Sequence, residues 1–279
     1  MKSKRQILTR LLLVLSIIAL SGLTSGLSSA GLSGRQIAVK AKYNNRPRSR
    51  VSWAVMKIQK KSGGRWTNID VRRTIMQGYI YRGSGASSLT KTLSRFTSGL
   101  KRGVTALSIE QPGRRDSTQY TYLPSLKRPR RVASSEKQND FEDTDFTNED
   151  MGAPNIWEYN YKRLPDQTYR GIPCYVIERT PKSAYMSKKK YKKHKLWVTK
   201  KHFIPIKAYA YDLSYRLKKK MYARRIRRHS NVYIAHKMTM INVQSKTRTI
   251  VLVSRVLINA RVSKGDFYPS RLDKSWRWR

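Results

Sequence analysis

A mainly β fold, one antiparallel sheet that is closed or strongly curved, follows from three observations. From about residue 50 onward short runs alternate apolar with polar or small residues. Turn residues part these runs about every 8–15 residues, and no long stretch carries the 3.6-residue period of an amphipathic helix. Strands of this kind bury one face and pair with antiparallel neighbours. The chain has 279 residues with 17 Tyr and 6 Trp, enough apolar bulk for a core. A single β domain over residues 31–279 is within the usual size range.

The amino-terminal segment comes first. Lys2, Lys4, Arg5 and Arg10 precede or flank an apolar run, Leu11 to Leu20, interrupted only by Ser16. Small residues follow through Ser28-Ser29-Ala30-Gly31. A positive start, a short apolar stretch and a small-x-small site read as a secretory signal peptide, residues 1–30, cleaved near Ala30. The competing reading is an uncleaved anchor. As a helix, Leu11 to Leu23 spans only about 20 Å, against a hydrocarbon core of about 30 Å. No cysteine stands near the site to be lipid-modified.

A short helix is expected over 31–43. The strand series then opens with Val51-Ser52-Trp53-Ala54-Val55, and Gly63-Gly64 turns the chain before Arg65-Trp66. Residues 104–109 and 118–123 form a pair divided by Pro112-Gly113. A polar loop with a turn or two fills 134–152. Trp157, Tyr159 and Tyr161 alternate along an expected strand at 156–162. Runs at 172–178, 195–199, 203–211, 215–226, 232–243 and 248–259 continue the series, and a further short helix is expected after Lys264. No internal repeat is visible.

Charge sets the choice of partner. With 60 Lys+Arg against 16 Asp+Glu the chain carries +44, and +40 remains after residues 1–30 are removed. Such a surface attracts polyanions. Nucleic acid is the ordinary target of so basic a chain, but export removes it and leaves anionic lipid headgroups as the available polyanion. The charge is also segregated. Residues 136–158 carry −7, directly after the basic knot Lys127-Arg128-Pro129-Arg130-Arg131, whereas 182–228 carry +17. That basic region is interleaved with Tyr185, Tyr191, Trp197, Tyr209, Tyr211, Tyr215 and Tyr222, a composition that suits contact with an anionic bilayer.

Catalytic and metal signatures are missing. Cys174 alone cannot build a disulfide framework or a multi-cysteine metal site. His194, His202, His229 and His236 lack the helical pair spacing of a zinc protease. Gly83-Ser84-Gly85-Ala86-Ser87 is not closed by Gly-Lys-Ser/Thr and is not a nucleophile elbow. The carboxylates of 140–150 lie in a polar loop with nothing to split their pKa values. No catalysis and no cofactor are expected.

One block is specific. Tyr122-Leu123-Pro124-Ser125-Leu126-Lys127-Arg128-Pro129-Arg130-Arg131, then Asn139-Asp140-Phe141-Glu142-Asp143-Thr144-Asp145-Phe146-Thr147-Asn148-Glu149-Asp150, resembles the outer-membrane lipoprotein-sorting protein family with the LolA-like fold. Ile177-Glu178-Arg179-Thr180-Pro181-Lys182, Leu196-Trp197-Val198 with Ile204-Pro205-Ile206, Tyr211-Asp212, Met240-Ile241-Asn242, Thr249 and Phe267 extend the likeness over about 104–273. The chain departs from the family pattern where Glu142-Asp143 replaces a common glycine and where Asn148 replaces an aromatic residue.

The resemblance implies an unclosed antiparallel β-barrel over a hydrophobic cavity, covered by short helices or loops. It implies a periplasmic carrier or receptor for the acyl chains of lipid or lipoprotein, working with an inner-membrane export permease. The alternatives are a basic nucleic-acid-binding protein and a cavity-free protein adhering to anionic lipid or lipopolysaccharide. Residue-level expectations follow. Arg130 or Arg131 pairs with Asp145 or Asp150, while Phe141 and Phe146 point inward and anchor the loop. Trp157, Tyr159, Tyr161 and Trp197 line the cavity. Trp276, Arg277, Trp278 and Arg279, alternating apolar and cationic, contact a membrane interface.

Overall fold

The computed structural model describes residues 31–113, 115–152 and 155–274. The expected signal peptide and the Trp276–Arg279 tail lie outside the described residues. Helix α1 (Gly34–Tyr43) opens with a capping box: the Gln36 backbone N–H donates to Ser33 Oγ, and the Ser33 N–H donates to Gln36 Oε1 at 2.8 Å. Gly34, Ile37 and Ala38 are its buried residues. A Cβ at Gly34 would meet the backbone of Lys162 and Arg163 at 3.0 Å, so the close approach of this helix needs glycine there.

Thirteen strands form one sheet: β1 (Ser49–Ser62), β2 (Arg65–Arg82), β3 (Leu89–Phe96), β4 (Thr105–Ile109), β5 (Thr118–Leu123), β6 (Arg128–Arg131), β7 (Tyr159–Tyr169), β8 (Ile172–Pro181), β9 (Lys193–Thr199), β10 (Pro205–Tyr211), β11 (Leu217–His229), β12 (Val232–Asn242) and β13 (Thr247–Ile258). The sheet is antiparallel, in the order β6-β5-β4-β3-β2-β1-β13-β12-β11-β10-β9-β8-β7. Two meanders therefore join side by side through the β1–β13 pair. The outermost strands, β6 and β7, do not pair, so the barrel is unclosed. Both carry a proline, Pro129 and Pro165, which an edge strand tolerates and which discourages pairing with another chain.

This order dictates where the acidic segment goes. The connection from β6 to β7 must run from one edge of the sheet to the other, and it does so across one face. The sheet is curled beneath it. Asp140 bonds Lys219 on β11 while its neighbour Phe141 packs on Phe96 of β3. Those strands lie five spacings apart, about 24 Å in a flat sheet, beyond the reach of consecutive residues.

Cross-strand partners share a face, so the register sorts the side chains. Ala54, Met56 and Ile58 of β1 point to the inner face and pack with Phe96, Val104, Val251, Phe141 and Phe146. The outer face is covered at one end by the carboxyl-terminal segment, where Phe267 and Leu272 pack on Tyr79, Leu93 and Leu107.

The expected strand at 156–162 is corrected: Ile156–Glu158 form a 3₁₀ turn and β7 begins at Tyr159. Strand β3 is not expected from the sequence: Thr90, Thr92 and Ser94 on its inner face are polar and only Phe96 is apolar, which hides the usual alternation.

Candidate ligand cavity

Between the inner face and the roofing segment lies a cavity of about 320 Å³, at the lower end of the range for small-molecule sites. Met56, Met76, Met238 and Val251 come from the sheet, and Phe141, Phe146 and Met151 from the roof. Methionine thioethers repack easily, so this apolar wall can adapt to chains of differing shape.

The roof is fastened by ions and hydroxyls drawn from distant strands. Asp145 accepts hydrogen bonds from Thr247 Oγ1 at 2.5 Å and Thr249 Oγ1 at 2.8 Å. Lys219 Nζ donates to the Asp145 carbonyl at 2.5 Å and lies 3.2 Å from Asp140 Oδ1. Arg72, only 1 % exposed, donates from Nη1 to the Glu142 carbonyl and pairs through Nε with Asp70, both at 2.5 Å. Lys101 pairs with Asp143 at 2.8 Å and Glu142 at 3.5 Å. Glu142 and Asp143 both take positive φ, 46° and 60°, a conformation that favours glycine. Phe141 N–H donates to the Phe146 carbonyl at 2.7 Å, closing the turn between the two rings.

Burial sets the carboxyl groups apart. Desolvation pushes Asp145 above its ordinary pKa despite Thr247, Thr249 and Lys219 pulling it down. Asp150, which lines the cavity, is raised for the same first cause. Desolvation also acts on Glu149, but the Lys189 ammonium outweighs it and holds that carboxyl below its usual range.

The expected pairing of Arg130 or Arg131 with Asp145 or Asp150 is corrected. Arg130 donates to both oxygens of Glu136 at 2.9 Å, and Arg131 is exposed. β6 is the edge strand, while the roof carries Asp145 inward to β13 and Asp150 to the Thr147 backbone N–H at 2.8 Å. Phe141 and Phe146 are both buried in the inner cluster. From the first motif, Leu123 packs on that cluster and Tyr122 on the outer one. Pro124 opens a 3₁₀ turn, and Leu126 is exposed.

The four aromatic residues expected to line the cavity do not line it. Trp157 leaves the alternation in its 3₁₀ turn and is 40 % exposed beneath the Arg35 guanidinium, 4.2 Å from the ring centroid. Trp197 is on the opposite face: its neighbour Leu196 pairs with Ala208 and Ile177 on the inner side, so Trp197 packs outward with Cys174, Val176 and Ile206. Tyr161 borders a separate cleft beneath α1. Tyr159 belongs to a buried ionic cluster, where its hydroxyl donates to Glu149 Oε1 at 3.2 Å. Desolvation pushes its pKa up to about 12. In the same cluster Lys189 pairs with Glu149 and, at 2.6 Å, with Glu158.

Lys219 and Arg72 were missed because charged residues in basic runs look like solvated surface. Strand parity carried the signal: Lys219 shares its face with Met221 and Ala223, which the register places inside.

A curled antiparallel sheet with a segment closing an apolar cavity over its inner face is a LolA-like fold. An outer membrane lipoprotein-sorting protein domain from Vibrio parahaemolyticus superposes with a TM-score of 0.75 at 24% identity, covering 86% of this chain and 98% of that one. A DUF1329 family protein from Desulfovibrio piger gives 0.76 at 25% identity, covering 86% and 97%. A LolA superfamily protein from Nitrosomonas europaea gives 0.61 at 18% identity, covering 85% and 98%. The chain belongs to the family whose model, described as that of an uncharacterized protein, matches residues 88–274. The motif block at 122–150 lies within that span. No curated protein matches the chain. Among the described residues, no helix is long and apolar enough to cross a membrane, and no group of three or more His, Cys, Asp or Glu could hold a metal.

Proposed function

We propose that the protein is a periplasmic carrier that holds an acyl chain of a lipid or lipoprotein in the cavity beneath the acidic roof, without catalysis. The observation that carries this reading is the cavity itself, a methionine-rich wall enclosed between the curled sheet and Phe141 and Phe146. Chains bind there by burying apolar area at roughly 25 cal/mol per Å². In the same proposal residues 1–30 are a cleaved export signal and residues 31–279 the working domain. The +17 region at 182–228 meets anionic membrane, and the Trp276–Arg279 tail assists. The carrier moves its cargo between membranes with an inner-membrane export permease as partner.

The test is direct. The full chain is expressed with its own leader in a Gram-negative host, purified from the periplasmic fraction, and its organic extract analysed by mass spectrometry. A stoichiometric acyl lipid and an amino terminus near Gly31 support the proposal. A lipid-free protein that takes up no fluorescent acyl probe refutes it.

A further inference from the structure

The inner face is graded from polar to apolar along the strands. One cross-strand row runs Arg50, Gly78, Thr92, Ser108, Gln119. The next runs Ser52, Met76, Ser94, Ala106, Thr121. Beyond them come Ala54 and Phe96, then Met56, in the apolar cluster under the roof. From Arg50 to Met56 is about 20 Å along β1. One end of the cavity therefore offers hydrogen bonds and a charge, and the other offers only hydrocarbon.

The polar end holds groups left open. Arg50 lines the cavity, yet among the described residues its guanidinium has no hydrogen bond, ion pair or ring contact. Gly78 places no side chain between it and Thr92, whose methyl closes over the glycine (a Cβ there would meet Thr92 Cγ2 at 3.3 Å). Ser52 Oγ, in a residue 2 % exposed, and Gln119 Oε1, in one 5 % exposed, have no partner either. The Gln119 amide nitrogen, by contrast, donates to the Asn148 carbonyl at 2.7 Å. The carboxylate on the wall, Asp150, accepts from the Thr147 backbone N–H rather than from Arg50. Arg50 is half-buried, and a cation partly withdrawn from water with no counter-charge is unfavourable; in a ligand cavity the ligand supplies the missing charge. Arginine presents a fork of N–H donors that matches phosphate or carboxylate oxygens.

We infer that the cargo is an anionic amphiphile, with its phosphate or carboxylate head on Arg50 and its chain along the methionine wall. Gln119 Oε1, on the cavity wall, accepts from a hydroxyl or amide group near the head. This rests on the carrier reading and adds the headgroup class and the direction in which the lipid lies.

The test compares chain-matched ligands, a fatty acid, a lysophosphatidic acid and a neutral monoacylglycerol. Each competes with a fluorescent acyl probe on the full chain, with and without Arg50→Met. All arms are run at about 1 M salt, where surface charge is screened within about 3 Å but the cavity is not. Wild type should bind the two anionic lipids roughly 10- to 100-fold tighter than the neutral one, the worth of charge-assisted hydrogen bonds. Arg50→Met should abolish that ratio, with neutral-lipid binding measured as the reference. Because the guanidinium makes no hydrogen bond or ion pair among the described residues, the variant's thermal unfolding should match wild type; if the variant fails to fold, the wild-type ratio decides.

An unchanged ratio in Arg50→Met, or none in wild type, overturns the inference while leaving the carrier reading intact. Binding of no chain-bearing ligand, anionic or neutral, overturns both. Inorganic phosphate competing as well as the lysophosphatidic acid would show an anion site without lipid recognition, and would also overturn it.

Discussion

Replacing Lys219 by methionine removes one buried ammonium and keeps nearly the same volume, so packing should change little. The side chain is 2 % exposed, and its Nζ is the donor to the Asp145 carbonyl at 2.5 Å. Leaving that carbonyl unpaired costs about 1–3 kcal/mol. The ion pair with Asp140 contributes less, because Asp140 is 46 % exposed and solvent screens it to at most ~1 kcal/mol. Together these give a loss of about 1–4 kcal/mol. For a domain of this size each kcal/mol shifts the melting temperature by roughly 2–4 °C, so a drop of about 2–16 °C is expected. Lys219 also pulls the Asp145 pKa down, so its removal should leave that carboxyl still higher. Thermal unfolding followed by near-ultraviolet circular dichroism measures the first effect, and limited proteolysis at 132–152 measures loosening of the roof. A shift below about 2 °C with an unchanged cleavage pattern would refute the assignment of Lys219 as the fastening of the roof.

Phe141→Ala should destabilise the protein by about 3–5 kcal/mol, since the ring is buried against Phe96 at 5.8 Å between centroids; urea unfolding checks it, and a loss under 1 kcal/mol would count against the inward anchor. His194 is half-buried on β9, and desolvation, then Arg179 and Lys189, hold its pKa well below 6.5. Its contribution is therefore complete above pH 6.5 and is lost as pH falls, because the unfolded chain takes up a proton that the fold refuses. The slope is up to ~1.4 kcal/mol per pH unit. His194→Gln should flatten the stability profile between pH 7 and 5, and a profile parallel to wild type would rule His194 out as the source. Deleting residues 275–279 should weaken binding to anionic vesicles without altering the fold, as vesicle sedimentation and circular dichroism would show; equal binding by both chains would make the tail idle.

Much of the sheet was legible because burial on one face imposes period two. The runs read at 172–178, 215–226, 232–243 and 248–259 fall on β8, β11, β12 and β13, and 104–109 with 118–123 on the β4–β5 pair. The site was less legible because a ligand wall breaks that same rule. Thr92, Ser94, Ser108 and Gln119 are polar on the side that faces inward, so β3 read as no strand at all. Buried cations were opaque for the opposite reason: Arg72 and Lys219 stand in strongly basic runs, and only strand parity separates them from solvated neighbours. Large aromatic residues were a poor guide. Trp197 fills the outer cluster, where its Nε1 donates to Gln167 Oε1 at 2.8 Å, whereas the cavity is walled mainly by methionine and by small polar residues.

The segregation of charge follows from the topology. Because β6 and β7 are the two edges, the connection between them crosses the inner face and meets cations there. Asp140 pairs with Lys190 and Lys219, Glu142 and Asp143 with Lys101, and Glu149 and Glu158 with Lys189, while Glu136 pairs with Arg130 on the edge strand. A segment that looks like an acidic patch on a basic protein is thus turned inward onto its own cations. Half of the chain's 16 acidic residues lie in that segment, so few remain to neutralise the exterior. Outward-facing Lys207 lies over the rings of Trp197, Tyr209 and Tyr169, presenting cation and aromatic together. The roof that encloses the cavity and the exterior suited to an anionic surface are therefore two consequences of where one acidic connection is laid.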